Sequence, residues 1–89
     1  MSEHASHPDI VKRLKRAEGH LRSVIEMIES GRPCLDVAQQ MSAVVKALEN
    51  AKTAFIHDHI DHCFERAVDA TGPDTKVALR EFKDITKYL

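Results

Sequence analysis

The feature that most constrains this chain is a long middle segment with an unbroken helical period. Two breaks bound it, Gly31-Arg32-Pro33 and Thr71-Gly72-Pro73. Glycine suits the left-handed residue just past a helix end, and proline suits the first turn of the next helix. Between the breaks, Val37, Met41, Val44, Leu48, Ala51 and Phe55 recur at steps of three and four, and Ile56, Ile60, Phe64 and Ala67 carry the pattern on with a small drift. Such spacing gathers apolar side chains on one stripe of a helix. A continuous helix of roughly 35 residues is about 50 Å long, at about 1.5 Å per residue. A compact ball of this chain length is only about 25–30 Å across. The helix therefore outruns any core the chain can build by itself.

Shorter amphipathic segments flank it. Ile10, Leu14, Ala17, Leu21, Val24 and Ile28 mark the first, which Pro8 opens; Ala78, Phe82, Ile85 and Leu89 mark the third. No window alternates apolar and polar residues as a strand would. The expectation is an all-α, single-domain chain over residues 1–89. It has a flexible tail at 1–8 and helices at about 8–30, 33–70 and 73–88. With four aromatics, Phe55, Phe64, Phe82 and Tyr88, the core of one copy is thin. The long helix is expected to pair with a second copy, antiparallel and by two-fold symmetry. The alternative is a monomeric three-helix bundle with a bent middle helix.

Several classes fall away. No apolar run reaches the length of about 18 residues that a membrane span needs. No charged start leads into an apolar stretch, so no secretion signal is read and the expected setting is cytoplasmic. Two cysteines in such a setting are reduced thiols rather than a disulfide framework. Paired carboxylates, a Ser/His/Asp set and a phosphate loop are all missing, so neither an enzyme nor a small-molecule substrate is expected.

The six histidines and two cysteines direct attention to metal chemistry. His59 and Cys63 are four apart, so they project from one helix face one turn apart. Imidazole and thiolate together suit Cu(I) or Zn(II), and the soft sulfur favours Cu(I). A third ligand is needed. Cys34, at the far end of the same helix, is 29 residues from Cys63, or about 43 Å along a straight helix. It cannot reach Cys63 of its own chain, but it can reach that of an antiparallel partner. The competing reading for Cys34 is a plain buried thiol. His62 lies beside Cys63 but about 100° around the helix, which makes it a weaker candidate, and His57 points away from His59. His4 and His7 lie near the start, solvated or able to close a site as a further ligand.

Charge is divided unevenly. Residues 10–22 carry a formal charge of +4, from Lys12, Arg13, Lys15, Arg16 and Arg22 against Glu18, whereas residues 53–72 carry −3. The whole-chain charge of −1 hides both. Lys46 and Lys52 extend the basic face onto the second helix. A basic helix face is by itself most often solvated surface; repeated in several subunits it becomes a surface for nucleic-acid phosphates. No helix-turn-helix, zinc-finger or basic-zipper signature is present, so sequence readout would lean on phosphate contacts and DNA shape.

Four motifs together carry a resemblance: Arg13-Leu14-Lys15-Arg16-Ala17-Glu18-Gly19-His20-Leu21, Cys34-Leu35-Asp36-Val37, Gln39-Gln40-Met41-Ser42-Ala43-Val44 and His57-Asp58-His59-Ile60-Asp61-His62-Cys63. Over about residues 8–88 the chain resembles the copper-sensitive operon repressor family, which includes nickel/cobalt, formaldehyde and persulfide sensors. The resemblance implies an antiparallel dimer with a four-helix core, assembled as a dimer of dimers into a homotetramer. It implies that the metal-free protein holds operator DNA and releases it when the sensor site fills. Carried onto this chain, Cys34 of one subunit and His59 and Cys63 of its partner would ligate Cu(I). Glu81 falls where copper sensors carry a glutamate, and it could orient the His59 ring by a hydrogen bond. Pro33 stands where some copper members have a tyrosine, and Asn50 where a basic residue is common. Alternative inducers within the resemblance are Ni(II) or Co(II) with an N-terminal histidine, Zn(II), or no metal at all. The last case is a thiol sensor of formaldehyde or persulfide using Cys34 with or without Cys63. A metal-storage bundle without a DNA role is the rival outside it.

Overall fold

The computed structural model describes residues 6–69 and 73–89, and among these there are only helices and turns. Helix α1 spans His7–Glu29, α2 spans Cys34–Asp69 and α3 spans Pro73–Ile85, followed by a 3-10 turn at Thr86–Tyr88. His4 and Gly72 lie outside the described residues.

The first break forms as its residues dictate. Gly31 takes φ +74°, a conformation that side-chain-bearing residues rarely adopt. The Gly31 N–H donates to the Ile28 carbonyl at 3.2 Å, and the Arg32 N–H donates to the Met27 carbonyl at 2.9 Å. These paired bonds occupy carbonyls that a helix end otherwise leaves without partners. The Pro33 carbonyl then accepts from the Val37 N–H at 3.1 Å and opens the next helix. Proline serves there because no donor is asked of it. Helix α2 runs on for 36 residues.

The described residues form two compact units, Pro8–Lys52 and the segment from Thr53 to Leu89 joined by His7. In the first, Val24, Val37 and Val44 form a buried cluster against which Met27 packs. His20 Nε2 lies 2.7 Å from Gln40 Oε1 and adds a polar tie between α1 and α2. In the second, Ile56, Cys63 and Ala78 are buried.

The apolar stripes divide into two rows, each with a seven-residue step. On α1, Ile10, Ala17 and Val24 are buried, whereas Leu14, Leu21 and Ile28 are exposed. On α2, Val37, Val44 and Ala51 are buried, whereas Met41, Leu48 and Phe55 are exposed. This is the division between a and d positions of packed helices, with only one row covered within the chain. After Ala51 the buried row restarts at Ile56 and continues at Cys63. That five-residue step is the drift visible in the sequence, and it coincides with the boundary between the units.

Candidate metal centre

The centre lies within the second unit. His59 and Cys63 stand one turn apart on α2, and α3 brings Glu81 to them. A ring nitrogen of His59, the Cys63 Sγ and a carboxylate oxygen of Glu81 all lie within 4.8 Å of one another. Ala78 is fully buried one turn before Glu81, where a small side chain lets a helix approach closely. Cys63 is 1% exposed, while His59 and Glu81 are half-buried.

A single carboxylate oxygen organises the site. Glu81 Oε2 accepts from the Cys63 thiol at 3.8 Å and from Arg66 Nη1 at 2.8 Å. The second contact is an ion pair, short and charge-assisted. Burial pushes the Cys63 thiol above its usual 9.0; the nearby Glu81 charge and the hydrogen bond to it raise it further, and the Arg66 charge opposes the rise. The thiol is thus protonated at neutral pH without a metal. His59 and Glu81 also line a small open cavity with Asp84, Ile85 and Tyr88.

Nitrogen, sulfur and oxygen donors within reach of one ion fit a thiophilic metal. The sulfur and imidazole suit Cu(I), and the carboxylate adds a donor preferred by harder divalent ions. Cys34 is not in this group: it is the exposed first residue of α2, in the other unit. His62 is half-buried and also stands outside the group. His7, the first residue of α1, stacks on Phe55 with ring centroids 5.1 Å apart. Its Nε2 lies 3.5 Å from Asp58 Oδ2. His4 falls outside the described residues.

The basic residues are all exposed: Lys12, Arg13, Lys15, Arg16 and Arg22 on α1, and Lys46 and Lys52 on α2. Arg13 Nε pairs with Asp9 Oδ2 at 3.0 Å. Arg13 and Arg16 line one groove of the first unit with His20 and Asn50. Lys15 lies on a different, apolar groove with Leu14, Leu21 and Leu48. The basic face therefore has two sides.

Arg66 belongs to none of the sequence motifs, yet it holds the site together through Glu81. Its signal was present, because it follows Cys63 by three and so shares its helix face.

Residues 6–88 match a family described as metal-sensitive transcriptional repressors. The copper-sensing transcriptional repressor CsoR of Mycobacterium ulcerans is 42% identical over 79 residues, covering 88% of this chain and 65% of that protein. The chain thus spans slightly less than two thirds of the mycobacterial CsoR relatives it matches. The copper-sensing transcriptional repressor CsoR of Bacillus subtilis is 37% identical, covering 88% of this chain and 75% of its own length. Among solved structures, the nickel-responsive transcriptional regulator InrS superposes with a TM-score of 0.81 at 35% identity, covering 96% of this chain and 93% of that one.

Proposed function

Since this chain belongs to the metal-sensitive transcriptional repressor family, we propose that it is a copper-responsive repressor that holds operator DNA without metal and releases it on capturing Cu(I). The observation that carries this reading is the gathering of His59, buried Cys63 and Glu81 at one place. Its copper-sensing relatives supply the choice of metal.

Cys34 of one subunit, with His59 and Cys63 of its partner, would hold the ion. Bound there, Cu(I) supplies a soft acid that thiolates and an imidazole together satisfy. Glu81 orients the His59 ring, and Cys63 gives up its proton. The open row of Leu14, Leu21 and Leu48 supports assembly of copies into dimers and then a homotetramer, because such a row seeks a partner helix. Lys12, Arg13, Lys15, Arg16, Arg22, Lys46 and Lys52 would neutralise operator phosphates, in a cytoplasmic setting. No helix among the described residues is long and apolar enough to cross a membrane.

The nickel or cobalt reading draws on the likeness to InrS and would use His7 or His4. His7 is instead engaged with Phe55 and Asp58, which favours copper. The test is a DNA-binding titration with and without Cu(I). Saturation with Cu(I) is expected to weaken operator binding about 5- to 150-fold, and DNA must weaken Cu(I) binding by the same factor. Unchanged DNA affinity refutes the copper reading. If His59→Ala leaves the response to an inducer intact, the chain is a thiol sensor of formaldehyde or persulfide.

A further inference from the structure

We propose that Arg66 sets the metal selectivity of the centre by keeping Glu81 out of the ligand set. The inference rests on the reading that His59 and Cys63 ligate the metal. Without Arg66, the three donors on α2 and α3 would form a nitrogen, sulfur and oxygen set within one chain. Such a set suits Zn(II) or Co(II), which accept a carboxylate beside imidazole and thiolate. It would need nothing from Cys34, so a divalent ion could fill it without joining two subunits.

Two effects of Arg66 oppose that outcome. First, its Nη1 holds Glu81 Oε2 at 2.8 Å, and this is the oxygen that faces the Cys63 Sγ at 3.8 Å. An oxygen committed to a guanidinium is a poorer donor to a metal. Second, the guanidinium charge repels any cation that enters. At a given distance that repulsion is twice as large for a divalent ion as for a monovalent one. Both effects fall harder on Zn(II) and Co(II) than on Cu(I), which is monovalent and draws on sulfur and imidazole rather than on a carboxylate. Glu81 remains beside His59, free to steer the ring rather than to bind the ion.

The test uses the full chain and titrates Co(II) by its absorption spectrum, Zn(II) by competition and Cu(I) in parallel. Arg66→Met keeps the aliphatic stem and removes the charge. It is expected to raise Co(II) and Zn(II) affinity about tenfold or more, the scale on which groups around a metal's ligands act. A changed Co(II) spectrum should accompany the gain as the carboxylate enters, while Cu(I) affinity shows no such gain. Arg66→Lys, which restores the positive charge, should return the divalent affinities toward the original values. Adding Glu81→Gln to Arg66→Met should abolish the gain. Equal Co(II) affinity and spectra for the original protein and Arg66→Met overturn the proposal, as does a gain that persists with Glu81→Gln. If His59→Ala weakens Cu(I) while Arg66→Met changes nothing, only the selectivity role falls. If His59→Ala leaves Cu(I) affinity unchanged, the metal-centre reading itself falls with it.

Discussion

Proton release from Cys63 makes metal capture depend on pH in a direction the structure fixes. The thiol is 1% exposed and lies against the Glu81 carboxylate, so it titrates above 9.0. At pH 7 the protonated thiol therefore dominates. Only the thiolate binds metal, so each unit of pH below the titration point costs about a factor of ten in apparent affinity. Raising the pH from 7 to 8 should therefore strengthen Cu(I) binding about tenfold through this thiol, or about 1.4 kcal/mol. Tenfold is the limit for one proton, and any other ligand that also loses a proton adds to the gain. The assay is competition with a Cu(I) chelator of known pH dependence. An independent check is the thiolate absorption of the Cys34→Ala protein, in which Cys63 is the remaining thiol. Its midpoint should lie above 9.0, the usual thiol value that burial exceeds here. An affinity gain below about threefold per pH unit, or a midpoint below the usual thiol value, would show that burial does not hold this thiol neutral.

Three further outcomes follow from the fold and the basic face. Gly31→Ala places a methyl-bearing residue at φ +74°; it should cost about 1–2 kcal/mol, read from urea unfolding. Val44→Ala empties part of the cluster with Val24 and Val37; two lost methylenes and the cavity should cost about 2 kcal/mol, with the denaturant slope unchanged. Arg16→Ala should weaken operator binding across sequences and lower the salt slope by about one. An unaltered slope would remove Arg16 from the phosphate contacts.

Much of the fold was legible because its signals are local. Gly31 and Pro33 mark a break through backbone stereochemistry alone, and the three-and-four spacing marks helices whatever they pack against. His59 and Cys63 share a face because four residues make about one turn. The sequence could not say which half of each apolar stripe the chain covers itself. Leu14 and Ala17 look equivalent by period, yet Ala17 is buried and Leu14 is 43% exposed. That choice depends on which neighbouring helix packs on which row.

The centre divides in the same way. The amino-acid sequence by itself determined the helices, the break at Gly31 and the pairing of one imidazole with one thiol on a single face. Tertiary structure alone decided that Glu81, 18 residues beyond Cys63, shares an oxygen between that thiol and Arg66. It also decided that Cys63 is buried and Cys34 exposed, although both are cysteines on one helix. The physical reason is range. Helix periodicity is set by bonds between near neighbours in the chain, whereas burial, ion pairing and a thiol's proton affinity are set by what another helix brings alongside.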